Sequence, residues 1–473
     1  MTELKNSKIF IYTFVIFFSF FIRFYLFEDR NSWHDEWHSI YVSDPNVSFK
    51  QTIERYLGNK GDSFLTEFYP ILYLLILKYF FLFFGYLDDV GRIFSLIFGV
   101  LIIPLTLFIC DRYFKIKNLW LPGILVSCNL FLIWQSLEIR AHSILVFFVL
   151  FNILLFFEIL KFNKFKISIL YFIVSIFTLS LWPIAGVIFA GKFIFLLQLY
   201  FREKIYLKHI YFLFLLIPIF YVILNLDYLK LNLARDDHYT SLYSSFFYNY
   251  HFRTFFGSIF SGGFFLLLFT YIVLKNLKKI FFISSIENLF FYIIFMSYFL
   301  TLFYSIVRGA PIMSPKYVIF LVPVILIIIS NYVDKSKFSK VLTFVIVFVT
   351  FLNLYLNYFN WPIKRPDIKN LIKTLSKDEN RILVSIENDV FNNYIKNTKN
   401  FKKNKFVLFK ISELPKNINS FWLICQNFPS YAYGKNYKDD IQKKCLVEFE
   451  DFKILDNFQT RDLYIAKFIF NKS

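Results

Sequence analysis

Charge is what this sequence has little of. Only 18% of its 473 residues are Asp, Glu, Lys or Arg, against 57% hydrophobic and 23% aromatic residues, which excludes an ordinary soluble globular protein. Acidic residues are scarcer than basic ones, 33 against 52, for a net charge of +19. Such an excess can mark a nucleic-acid binder. Here many of the lysines fall in short loops between apolar runs, where they set membrane topology, so no nucleic-acid partner is expected. No small-residue cleavage site follows the first apolar run, and further runs succeed it. That run therefore reads as an anchor and not as a removed signal peptide. No tandem repeat stands out, which argues against a solenoid. Cysteine is sparse: Cys110 and Cys128 lie in apolar runs, where buried cysteine is ordinary, and Cys425 and Cys445 lie in the polar tail. In an oxidising compartment the last two would close a loop of about 20 residues, and a disulfide between them is expected.

What is abundant is phenylalanine, 69 residues of it, gathered into runs that reach the roughly 20 apolar residues needed to cross a bilayer. Spanning helices are expected near 9–27, 92–110, 119–135, 143–160, 167–181, 184–200, 209–225, 255–274, 288–306, 316–331 and 341–358. The segment 70–85, PILYLLILKYFFLFFG, is shorter, starts at a proline and carries Lys78 midway. If it lies in the interface, loops 1–8, 111–118, 161–166, 201–208, 275–287 and 332–340 share one side, each with two or three cations. If it spans, the five later lysine-rich loops all change side. The positive-inside tendency selects the first arrangement, with eleven spans, a cytoplasmic N-terminus and an external loop 28–91 that lays an amphipathic helix on the membrane. Beyond residue 358 short β-like runs, RILVSI (381–386), KFVLFK (405–410) and FWLIC (421–425), alternate with polar stretches. The division expected is a transmembrane region, 1–358, and a small extracytoplasmic α/β domain, 359–473.

Four clusters could carry chemistry, all on the external side of this topology. In NSWHDEWHSIY (31–41), Asp35 and Glu36 stand between His34 and His38 and two tryptophans. Imidazole and carboxylate are both metal ligands, yet chain neighbours rarely ligate one ion together. The plain alternative is an interfacial loop with Trp33 and Trp37 in the aromatic belt. In TEFYPILYLL (66–75), Glu67 precedes Pro70 at the mouth of the interfacial helix, where it could equally serve the helix dipole. WQSLEIRAHS (134–143) puts Glu138, Arg140 and His142 at the junction of two spans, as a site or as a turn holding an ion pair. RGAPIMSPKYVIF (308–320) puts Arg308 and Lys316 at an outer helix junction, against the charge bias, where cations suit a lipid phosphate.

The order of these motifs is familiar. An outer-loop Asp-Glu follows the first helix, and a P-x-L-Y entry opens an amphipathic helix ending in Gly85. Arg92-x-x-Ser95-x-x-x-Gly99 opens the next span, followed by a basic DRYFK turn, S-x-E-x-R at 136–140, a late P-K-Y and a charged outer tail. Over residues 9 to about 335 this order resembles the GT-C membrane glycosyltransferases of the protein O-mannosyltransferase and aminoarabinose-transferase type. The resemblance implies transfer of a sugar from a polyprenyl-phosphate donor to a lipid, glycan or protein acceptor, on the periplasmic or luminal face of a membrane, here a bacterial inner membrane. It implies Asp35 as the catalytic carboxylate, Glu36 as its companion and Glu67 as a further acid. Arg308, Lys316 and Arg140 would hold the donor phosphate, with His34, His38, Glu138 and His142 in support. Two positions depart from the pattern. Tyr69 stands where a second proline is usual, and Lys316 where arginine is common, so a bidentate phosphate contact becomes a point charge.

The residue types suit that chemistry. An acceptor hydroxyl is a weak nucleophile, and a placed carboxylate that takes its proton contributes roughly 10²–10⁴-fold. Cations then stabilise the charge left on the departing phosphate. Single displacement with inversion follows from the resemblance, and a divalent metal at Asp35 stays open. The rival readings are an O-antigen-type polymerase and a lipid-linked sugar flippase. A flippase needs cations in the middle of its spans, whereas here they gather at span ends.

Overall fold

The computed structural model describes residues 2–27, 30–57, 70–204, 208–233, 250–282, 285–308 and 314–360. Beyond these it describes 382–385, 389–398, 407–410, 420–426, 452–459 and 463–470.

Apolar runs this long in a membrane must satisfy their own backbone groups, and a helix does so within one segment. Among the described residues, seven helices are long and apolar enough to span: Ser7–Tyr25, Asp88–Phe114, His142–Phe162, Pro183–Glu203, Ile259–Ile280, Ile286–Val307 and Ser339–Asn357. Three shorter apolar helices, Phe165–Leu181, Ile210–Leu224 and Leu321–Asp334, occupy three more of the expected spans. Large apolar side chains such as Phe17, Phe21, Leu215, Ile223 and Phe344 point outward, as lipid-facing surface does. Leu321–Asp334 is the inner helix, with almost every residue buried.

The eleventh expected span, 119–135, is broken into Trp120–Ser127 and Leu130–Gln135. The break is repaired by side chains. Asn129 caps the second piece by accepting the Leu132 N–H at 3.0 Å, and its own amide donates to the Phe255 carbonyl oxygen at 2.9 Å. Arg23, fully buried, donates to the Ser127 carbonyl oxygen at 3.1 Å. A broken helix is tolerated at membrane depth when protein groups satisfy the freed backbone, and these do.

The ambiguous segment forms Leu72–Phe84, 13 residues and so about 20 Å long. It ends at Gly85, whose φ of 104° suits a residue without a Cβ. Lys78 donates to the carbonyl oxygens of Asp44 and Val47 at 2.5 and 2.7 Å, and Ser43 Oγ donates to that of Leu74 at 2.9 Å. The helix is thus tied along its length to the loop that precedes it.

The C-terminal part forms one mixed sheet. Strands β1 (Ile382–Ser385), β2 (Val407–Lys410), β3 (Ser420–Gln426), β4 (Phe452–Gln459) and β5 (Leu463–Phe470) lie in the order β2-β1-β3-β5-β4. β1 runs parallel to β2 and β3, and β5 antiparallel to β3 and β4. Helix Asp389–Asn397 sits in the crossover from β1 to β2. The first three strands answer to the three β-like runs of the sequence. The expected Cys425–Cys445 disulfide lies outside the described residues, because Cys445 does.

Candidate active site

Helix His34–Val42 begins where the chain leaves the first span, with Trp33 in extended conformation before it. Its third residue, Glu36, turns inward and is fully buried. Glu36 Oε2 accepts the Trp33 N–H at 3.3 Å, and Oε1 accepts the Ile139 N–H at 2.9 Å. Arg92 Nη1, equally buried, lies 3.8 Å from Oε1. Arg92 also donates to the Leu137 carbonyl oxygen at 3.1 Å and to Ser32 Oγ at 2.8 Å, with Asp88 one helical turn back at 3.9 Å. A buried charge must be paired and hydrogen-bonded to persist, and both members of this pair are. Glu36 therefore joins helix His34–Val42 to the turn 136–140.

That turn comes close because two glycines let it. A Cβ on Gly99 would meet Ser136 Cβ at 2.2 Å, and one on Gly91 would meet Phe81 and Ile139 at about 3 Å. This is the physical content of the spacing Arg92 to Gly99: one face of the helix Asp88–Ile109 holds the turn sterically and by charge. Arg30 Nη2 pairs with Glu138 Oε1 at 3.2 Å, both buried, and Gln135 Nε2 donates to the same oxygen at 3.2 Å. His142 is buried with its ring 5.7 Å from that of Trp182, and Trp182 in turn lies 5.1 Å from Tyr317. His38 is buried as well.

Asp35, the neighbour of Glu36, faces the other way. Its side chain is 36% exposed, and Arg140 Nη2 lies 3.9 Å from its Oδ2. Arg140 Nη1 donates to the Asp35 carbonyl oxygen at 3.0 Å and reaches Ser39 Oγ at 3.4 Å. Lys316 stands at the same end of the bundle, its Nζ 4.4 Å from the centre of the Trp33 ring. An accessible carboxylate thus lies on this helix, with a buried guanidinium behind it and a lysine over the ring of Trp33, the residue that precedes the helix.

The structure brings Asp35, Glu36, Glu138, Arg140 and Lys316 to one end of the bundle, with His38 on the same helix and His142 linked through Trp182. Arg308 ends the helix Ile286–Arg308, and His34 begins His34–Val42; the described residues do not include the side chain of either. Glu67 lies outside the described residues. Among the described residues no three His, Cys, Asp or Glu side chains gather to hold a metal ion, and the neighbour described at Asp35 is a cation.

Four participants carried no assigned role in the sequence. Asp88 and Arg92 stand four apart on a helix, a spacing that announces a pair. Arg30 follows the first apolar run closely enough to have been suspected. Tyr394 gave no signal. It projects from helix Asp389–Asn397, fully buried, and its ring stacks on Trp37 with centroids 5.4 Å apart. Its hydroxyl interacts with Ser32 in the field of Asp88, Arg92 and Glu36, and burial pushes its pKa above the usual phenol range. Beside it, the Tyr86 hydroxyl lies 2.6 Å from Asn393 Oδ1, and Asn393 Nδ2 donates to Asp44 Oδ2 at 3.4 Å. The C-terminal part thus reaches the back of the helix that presents Asp35.

This architecture, a polytopic helical bundle with helix His34–Val42 at one end, a short apolar helix at its edge and a C-terminal α/β sheet, is the GT-C fold. Two solved structures of ArnT, the aminoarabinose transferase, from Cupriavidus metallidurans share it across 98% of both chains. The structure bound to undecaprenyl phosphate superposes with a TM-score of 0.55 at 8% sequence identity, and the apo structure with 0.57 at 9%. No protein-family model and no curated protein matches the sequence. The likeness is one of fold.

Proposed function

We propose that this chain is a membrane glycosyltransferase that moves a sugar from a polyprenyl-phosphate donor to an acceptor hydroxyl. One observation carries the reading: on a fold whose ArnT example binds undecaprenyl phosphate, the accessible carboxylate, Asp35, stands among cations at one end of the bundle. Asp35 takes the proton of the acceptor hydroxyl. The acceptor oxygen then bonds to the anomeric carbon as the bond from that carbon to the phosphate oxygen breaks. The electron pair leaves with the polyprenyl phosphate, and configuration inverts. Lys316 and Arg308 hold the donor phosphate and stabilise the charge that grows on it.

Arg140 takes a different part from the one its sequence suggested. With its guanidinium on the Asp35 backbone carbonyl and near its carboxylate, it positions the base. Glu36 and Arg92 hold the helix from behind. Glu67 is the second acid of the reading. The end of the bundle bearing Asp35 faces the periplasm, the N-terminus lies in the cytoplasm, and the C-terminal sheet is periplasmic. Lys192 is an exception to the gathering of cations at span ends, since it lies mid-helix, yet its setting supports transfer over translocation. It is fully buried between Asn152 and the rings of Phe156, Tyr171 and Phe189, enclosed and not lining a passage.

The test is mass spectrometry of glycolipids, lipopolysaccharide and surface proteins from a deletion strain. A hexose or pentose missing from one of these, and restored by the wild-type gene, is expected. Unchanged glycans together with accumulated unpolymerised repeat units would point to a polymerase.

A further inference from the structure

Away from Asp35, the far ends of Ile259–Phe282, Ile286–Arg308 and Leu321–Asp334 meet around a second concavity. The last two of these helices separate it from Lys316. Its volume is about 630 Å³, of the size that takes a small polar group. Lys275, Lys279, Lys335 and Lys337 line it together with a single carboxylate, Glu287. Two of the lysines are held: Lys275 Nζ donates to the Tyr332 hydroxyl at 2.9 Å, and Lys335 pairs with Glu287. Lys279 and Lys337 make no ion pair among the described residues.

A second feature points to a ligand. Asn331 lines the same concavity and is 5% exposed. Its side chain bonds to Glu287, and its carbonyl oxygen is buried without a hydrogen-bond partner. A buried acceptor left unsatisfied costs free energy, which a donor brought by a ligand would recover. Ile272, Ile280, Phe291 and Ile328 give the wall an apolar part beside Asn276, Ser285, Asn288 and Ser336, and Phe338 at the rim is 72% exposed.

We infer that this concavity binds the headgroup of an anionic phospholipid that carries a hydroxyl. The phosphodiester meets Lys279 and Lys337, the headgroup hydroxyl donates to the Asn331 carbonyl oxygen, and the acyl chains leave along the apolar wall. Basic recesses between membrane helices recognise anionic headgroups in this way. The sugar donor is a separate ligand at the opposite end, so the inference stands whether or not the proposed transfer is correct.

The shared chemistry is a phosphate ester, which a lipid or a small soluble molecule could supply. Native mass spectrometry of the full chain in detergent separates them, with phosphatidylglycerol, phosphatidylcholine and glycerol 3-phosphate as probes. Phosphatidylglycerol is expected to bind at least tenfold more tightly than phosphatidylcholine, and the double variant Lys279→Met, Lys337→Met to lose at least tenfold. Both lysines are exposed, so the variant should fold, and its unchanged melting temperature without lipid checks that. Equal binding of the two lipids, or no loss in the double variant, overturns the site. Glycerol 3-phosphate displacing the lipid at equal concentration overturns its assignment to a lipid.

Discussion

The two sides of helix His34–Val42 treat adjacent carboxylates in opposite ways. On the inner side Glu36 is sealed off, with two backbone N–H groups and Arg92 around it. On the outer side Asp35 keeps a third of its surface, with Arg140 at 3.9 Å. A sealed carboxylate is out of reach of an incoming molecule; an open one is not. The same functional group, one position apart, is thus an anchor on one side and, in the proposed reading, the base on the other. The anchored side also receives Tyr394, so the C-terminal sheet is coupled to the position of Asp35 through Trp37 and Ser32.

Breaking the anchored side should cost most. Removing one member of a buried pair leaves the other uncompensated, so Arg92→Leu should destabilise the protein by about 3–5 kcal/mol. Thermal unfolding in detergent reads this as a melting temperature several degrees lower, with activity falling alongside. An unchanged melting temperature would mean that Glu36 does not depend on Arg92.

On the open side, Lys316→Met should leave stability alone and weaken donor binding by roughly 10–100-fold, the equivalent of one charged hydrogen bond of about 1.5–3 kcal/mol. Lys316→Arg should retain most of it. Donor saturation curves that overlay wild type for both variants would make Lys316 only a headgroup contact, as helix-end lysines often are.

Tyr394→Leu sharpens the link between the two sides. It keeps apolar bulk but loses the ring stack and the hydroxyl, together about 1–3 kcal/mol of docking. Faster hydrogen exchange across residues 34–42 is expected, with the melting of the helical bundle little changed. Exchange in that helix at the wild-type rate would show that the C-terminal part does not hold it.

The gentlest probe is labelling. Single cysteines replacing the exposed Lys50 and Lys117 should react with a membrane-impermeant reagent only at 50 if, as the lysine placement predicts, Leu72–Phe84 does not cross. Reaction at both would place that helix across the membrane and reverse every later loop.

Much of this fold could be read from the sequence, because hydropathy and lysine placement are local signals. The spans and the first three strands were legible for that reason. The break at Cys128–Asn129 was not, since it is repaired by Arg23 and Phe255, far along the chain. β4 and β5 drew no separate notice, their apolar residues being diluted by charges such as Lys453, Asp456 and Lys467. In the site, residue types gave Asp35 and Glu36 together but could not separate them. What separates them is the Ile139 N–H and the Arg92 guanidinium, both brought in by tertiary packing. For Arg140 the sequence shows the charge that suits a phosphate and not the Asp35 carbonyl oxygen it bonds. Tyr394, more than 350 residues from Trp37, could be found only in three dimensions.

The central claim rests on Asp35, and one substitution tests it most directly. Asp35→Asn keeps the shape and polarity of the side chain and removes the proton acceptor. In the complemented deletion strain, and in turnover by the purified protein, transfer should fall by at least two orders of magnitude. Membrane insertion and melting temperature should match wild type, since Asp35 is not part of the anchored side. Turnover close to wild type in Asp35→Asn would contradict the account and pass the role of base to Glu67.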